Sequence, residues 1–203
     1  ACMVVLAEAF KAYSRGDAVQ PLRTIMKVPG SGGVLASMPG YDGASEALAV
    51  KLITVFHNAS EGPFDSHQGL VALFSSEHGN LLAIMDAIEI TAIRTAAASG
   101  VATEALARKD ATTLAILGAG VQAKSHFYAM TEARNIQSVR IWNRTEENAR
   151  KLAEELSQES SLDISVSDSA QTTVTDAHIV CTTTAATELK PSISLAKMST
   201  KRL

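Results

Sequence analysis

Aromatic side chains are scarce in this chain: one Trp, three Tyr and five Phe make up 4% of its 203 residues. That leaves no platform for stacking nucleobases. Surplus positive charge is absent as well. The 18 Lys and Arg stand against 21 Asp and Glu, for a net charge of −3, so neither a nucleic-acid footprint nor a polybasic membrane patch is expected. Cysteine is limited to Cys2 and Cys181, which are far apart, lack metal-ligand spacing and have no His pair behind them. Both are expected to be reduced and structural. Apolar runs stop well short of the roughly 18 residues of a membrane helix, and no signal-like opening is seen. The expectation is a cytoplasmic, reducing setting. The chain also lacks a Ser–His–Asp elbow, a His-x-x-x-His pair and a P-loop lysine, so hydrolase, metalloenzyme and NTPase chemistry have no residues to rest on.

What is present is a globular composition, 46% hydrophobic and 19% charged. It is organised around Thr112 to Ala123, where an apolar run meets two glycines and then a helical pattern. In a dinucleotide-binding turn the first glycine permits the bend, the second lets backbone approach a pyrophosphate, and the third small residue lets helix pack on strand. Gly118, Gly120 and Ala123 take those places, and the helix N-terminus offers free N–H groups and a positive dipole end. A helix from Val121 to about Arg134 and a strand at Val139 to Trp142 then lead to Asn143-Arg144-Thr145. That is where NAD enzymes place an acid for the ribose hydroxyls. None is present. A carboxylate would repel a 2′-phosphate, whereas an Arg fork binds it, so NADP(H) is expected over NAD(H).

The rest of the chain divides near residue 109. Before that point the pattern gives a helix to about residue 15 and period-two strands at 19–29, 34–38 and 48–56. A hairpin of 70–74 and 81–85 turns at Glu77 to Asn80, and a small-residue helix capped by Asp86 follows. Ser66 and His67 read as loop residues. Beyond 109, strands and helices alternate to His178–Thr182, and Thr182-Thr183-Thr184 lie at the carboxyl end of a strand, where open α/β sheets bind ligands. The expected fold class is α/β: a mixed-sheet α+β domain over 1–109, an incomplete Rossmann-type parallel sheet over 110–190, and an irregular tail over 191–203. Three cations sit in apolar company in the first domain: Lys51 within a strand, Arg94 within the small-residue helix, and Arg23 on an alternating strand. Burying such charges is costly without an anion, and three of them upstream of a dinucleotide domain point to a carboxylated substrate.

Taken together, Gln20-Pro21-Leu22-Arg23-Thr24, Ala49 to Thr54, Ser66-His67-Gln68, Leu82 to Asp86, Ile90 to Ala97, Ile116 to Ala123 and Val139 to Thr145 resemble the ornithine cyclodeaminase/μ-crystallin family, and more closely its ketimine reductases. The resemblance implies hydride transfer from NADPH to the C=N carbon of a cyclic ketimine carboxylate. It implies that Arg23 and Arg94 hold the carboxylate, that Lys51 stands beside the imine, and that Ser66 and His67 line the substrate side; Lys51 is expected to act there as the catalytic acid or as an electrostatic partner of the carboxylate. Ala119, Val121, Gln122, Asn143, Arg144, Thr145 and Asn148 would join Gly118 and Gly120 at the cofactor, with Thr182 and Thr184 near the nicotinamide half. It further implies a homodimer formed through the first-domain sheet. The alternatives it carries are NADPH or thyroid-hormone binding or a structural crystallin role without turnover, and an NAD-dependent ornithine cyclodeaminase. The chain is expected to be truncated at both ends: the family's first strand and its later nucleotide strands, with their acidic catalytic residue, have no counterpart here.

Overall fold

The structure is a computed structural model and describes residues 1–56, 64 and 66–184; the tail expected over 191–203 lies outside these. The chain divides into two compact units, Ala1–Arg94 and Thr95–Leu203.

In the first unit, helix α1 (Cys2–Arg15) ends at Gly16 in the left-handed conformation. Strands β1 (Ala18–Val19), β2 (Thr24–Lys27), β3 (Val34–Asp42), β4 (Ala47–Val55), β5 (His67–Ser75) and β6 (Leu81–Asp86) form one sheet in the order β1-β3-β4-β5-β6, with β2 also on β3. Every pairing among them is antiparallel. The sequence pattern suggests one strand over 19–29, but the structure breaks it into β1 and β2. Pro21 has no N–H to give a ladder, and both pieces lie along β3 without continuing through it. The loop expected at Ser66 to Gly69 is corrected in the same way. β5 starts at His67 because β4 runs to Val55 and provides partners, Val55 for His67 and Thr54 for Gln68, and Phe56 N–H donates to the Ser66 carbonyl at 2.9 Å. The β5–β6 turn is closed by the Ser75 hydroxyl, which accepts from the N–H groups of Glu77 and His78 at 3.2 and 3.1 Å.

Helix α2 (Ala87–Leu106) begins where Asp86 Oδ1 accepts the Ile88 N–H at 2.6 Å. The boundary between the units falls within this helix.

The second unit alternates β7 (Thr113–Leu117), α3 (Val121–Ala133), β8 (Ser138–Trp142), α4 (Glu146–Glu159), β9 (Asp163–Val166), α5 (Ala170–Val174) and β10 (Ile179–Thr182). Its four strands run parallel in the order β10-β7-β8-β9. β7 is covered on both faces, which explains its unbroken apolar run. Leu114 and Ile116 face a core with Ala123, Phe127 and Met130 of α3 and Leu152 and Leu156 of α4. Ala115 and Leu117 face Ala170 and Val174 of α5. Burial of each such leucine or isoleucine contributes about 1.5–3 kcal/mol. No helix among the described residues is long and apolar enough to cross a membrane.

Candidate functional site

Lys51 sits mid-way along β4, opposite Met38 of β3 and Val71 of β5. Arg23 immediately precedes β2, whose Thr24 pairs with Ser37, so Arg23 comes in beside Met38. Cross-strand partners share a face, which places Arg23 two strands from Lys51 on the same side of the sheet, about 10 Å away in backbone terms. The Lys51 ammonium donates to the Thr91 hydroxyl at 3.3 Å in the second turn of α2. Arg94 follows Thr91 by three positions and so shares its helical face. Burial first, and then the Arg94 and Arg23 charges, hold the Lys51 ammonium below the usual lysine range. Burial and Arg23 lower Arg94 likewise. Among the described residues no ion pair includes Lys51, Arg94 or Arg23. Three like charges thus converge with no carboxylate of the described chain to neutralise them.

Ser66 and His67 lie further along the same sheet. His67 pairs with Val55, four residues from Lys51, about 13 Å along the strand. It has the same alternation as Val71 and so lies on the Lys51 face, with Ser66 Oγ 3.0 Å from its Nδ1.

In the second unit the glycine turn follows β7. Gly118 has φ +112°, and a Cβ there would lie 2.7 Å from the Thr183 hydroxyl oxygen and 2.8 Å from its carbonyl oxygen, so no other residue fits. Gly120 differs: its φ of −95° suits any residue, and a Cβ would meet no protein atom within 4 Å. The protein's own packing does not require that glycine, and the open space is what an approaching pyrophosphate needs. No side chain caps α3, so its first N–H groups remain available. Ala119 and Val121 flank Gly120, and Ala123 is fully buried against the sheet. Gln122 Oε1 is buried without a partner among the described residues. The turn therefore fits a dinucleotide.

The β8 end carries Asn143, whose Nδ2 donates to the Thr145 carbonyl at 2.9 Å. Thr145 is the N-cap of α4 and its side chain makes no cap bond. Arg144, Thr145 and Asn148 are exposed, and no ion pair among the described residues involves Arg144. The nearest acid in sequence, Glu146, is held by Arg150 one turn on. At the β10 end, Thr182 and Thr184 are exposed while Thr183 turns inward. No cluster of three or more His, Cys, Asp or Glu among the described residues could hold a metal.

Sequence reasoning missed two of these residues. Thr91 was legible in principle from its three-residue spacing to Arg94 on a recognised helix. Thr183 lies between two residues that were singled out, and only the strand pairing shows that it differs from them.

Compared with known proteins, the sequence profile of the ornithine cyclodeaminase/mu-crystallin family matches residues 1–198. The chain belongs to this family. Ketimine reductase mu-crystallin of Rattus norvegicus is 44% identical over 173 residues, which is 85% of this chain and 54% of the relative. Thermococcus litoralis Delta(1)-pyrroline-2-carboxylate reductase, solved with NADH and L-proline, has a TM-score of 0.85 and 37% identity, covering 89% of this chain and 56% of that one. An archaeal alanine dehydrogenase dimer with bound NAD has a TM-score of 0.84 and 27% identity over 90% of this chain and 55% of that one. The chain thus spans about half the length of the relatives it matches. An antiparallel sheet joined to a parallel nucleotide-type sheet is the architecture it shares with the family's solved members.

Proposed function

We propose that the chain carries the carboxylate-binding and nucleotide-binding residues of an NADPH-dependent reductase acting on the C=N bond of a cyclic ketimine carboxylate. The observation that carries the reading is the convergence of Lys51, Arg94 and Arg23 without a described carboxylate partner. A bound anion relieves that repulsion, and the names of the ketimine and pyrroline-2-carboxylate reductases indicate the kind of anion.

Arg23 and Arg94 hold the substrate carboxylate, and the Arg guanidinium fork suits its two oxygens. Lys51 feels the charges of both and is a stronger acid than an exposed lysine. Placed beside the ring nitrogen, its ammonium keeps the imine protonated, so the nitrogen's electron pair ends on a proton as the carbon accepts hydride. A bound reduced nicotinamide supplies that hydride. The hydroxyl of Thr91 holds the Lys51 ammonium in place. Gly118 and Gly120 admit the pyrophosphate. Ala119, Val121 and Gln122 line its approach, and Thr182 and Thr184 stand at the nicotinamide side. Asn143, Arg144, Thr145 and Asn148 favour a 2′-phosphate, since this loop offers a free guanidinium and no free carboxylate. Ser66 and His67 serve the outer part of the substrate side. A second copy of the chain pairs through the sheet face opposite Lys51, on which register places Met26, Tyr41 and Ile84, 55%, 37% and 63% exposed.

The reading is tested by following NADPH fluorescence as the chain is added and then Δ1-pyrroline-2-carboxylate. Binding followed by oxidation supports a reductase. Binding with no oxidation in the presence of the imine would make the chain a nucleotide carrier and overturn the reductase assignment.

A further inference from the structure

We propose that Thr183 is the positioning residue that fixes the nucleotide turn, an inference that rests on the reading of Gly118 to Ala123 as a pyrophosphate site. β7 ends at Leu117, and the Leu117 carbonyl accepts twice from one residue: from the Thr183 N–H at 2.7 Å and from its hydroxyl at 3.0 Å. The first bond is the next rung of the β7–β10 ladder, in which Thr182 pairs with Leu117. The second is a side-chain addition that the ladder does not need. It fills the carbonyl's remaining acceptor capacity at the residue before the chain bends away.

The same threonine also shapes the bend. Its hydroxyl and carbonyl oxygens occupy the place where any side chain at residue 118 would have to go. On the opposite flank the Gly118 N–H donates to the Trp142 carbonyl at 2.8 Å. The first glycine is thus held between the ends of β10 and β8, its neighbours on either side of β7. The position of Gly120 and of the uncapped α3 N–H groups follows from that anchorage, because only Ala119 separates them from the pinned residue. Thr182 and Thr184, on either side, are exposed and make no comparable bond among the described residues, so the middle threonine alone ties the phosphate turn to the strand end that carries them.

Thr183→Val keeps the shape and the backbone N–H while removing the hydroxyl bond, Thr183→Ala removes it without a packing burden, and Thr183→Ser retains it. NADPH affinity is measured by fluorescence titration of the 203-residue chain, well below each variant's melting temperature. The expected result is a five- to tenfold weaker Kd for Thr183→Val and Thr183→Ala and a near-parental Kd for Thr183→Ser. A parental Kd for the Val and Ala variants, even with lowered melting temperatures, would reduce Thr183 to a structural residue and overturn the proposal. So would a Ser variant as weak as the Val variant. A parental chain that binds no NADPH would instead remove the pyrophosphate site itself, and the proposal with it.

Discussion

At the scale of single residues, the strongest expectation concerns Lys51. Its ammonium is disfavoured by burial and by two neighbouring cations, so the folded chain holds that proton less tightly than the unfolded chain. Between the lowered folded value and the ordinary lysine value the unfolded state binds more protons, and stability therefore rises with pH through that interval. Below the folded value the destabilisation is fully present. Lys51→Met should flatten this rise and melt no lower than the parent, while imine reduction falls by about 100-fold or more. Thermal melts across alkaline pH and steady-state rates check both halves. A variant that reduces ketimine at the parental rate contradicts the assigned role. Lys51, Arg94 and Arg23 could be found from sequence because a cation in an apolar strand or small-residue helix stands out. Their convergence could not, since it depends on a register in which Met38 separates Arg23 from Lys51.

At the scale of elements, the two glycines of the turn should behave oppositely. Gly118→Ala combines a left-handed φ with a clash against Thr183, and is expected to cost about 3 kcal/mol or more of stability. Gly120→Ala has an ordinary φ and free space, so its denaturant midpoint should match the parent while nucleotide affinity falls about tenfold or more, a loss of about 1.4 kcal/mol. Equal binding by Gly120→Ala and parent would show that the open space is not used by a ligand. The end of α2 gives a second test. Arg134 donates to the carbonyls of Glu104 at 3.0 Å, Ala107 at 2.6 Å and Arg108 at 3.0 Å, satisfying one acceptor in the last turn of the helix and two just beyond its end. Arg134→Met should destabilise the chain by about 2 kcal/mol with nucleotide affinity unchanged, measured by urea unfolding and by titration. The elements themselves were largely legible, because periods of two and of 3.6 alternate clearly along the chain. The failures were local. Pro21 split a strand that the alternation joined, and His67 to Gly69 became strand only because β4 offered partners. The first depends on ladder chemistry and the second on a neighbour 12 residues away, which no local pattern carries.

At the scale of the whole molecule, the proposed function needs the cation-bearing sheet and the sheet of the glycine turn in one chain. The proposed preference for NADPH rests on Asn143-Arg144-Thr145, with Glu146 held by Arg150. Arg144→Glu should weaken NADPH binding about tenfold or more and leave NADH little changed, narrowing or reversing the preference in paired titrations. An unchanged ratio would place the 2′-phosphate elsewhere. The central claim is that the cation cluster selects a carboxylated imine. It is tested most directly by comparing NADPH oxidation with Δ1-pyrroline-2-carboxylate against the same ring without its carboxylate, Δ1-pyrroline. Oxidation is expected to depend on the carboxylate, with at least about a hundredfold advantage in kcat/KM, or about 2.7 kcal/mol of transition-state binding. Equal rates with the two rings would contradict it.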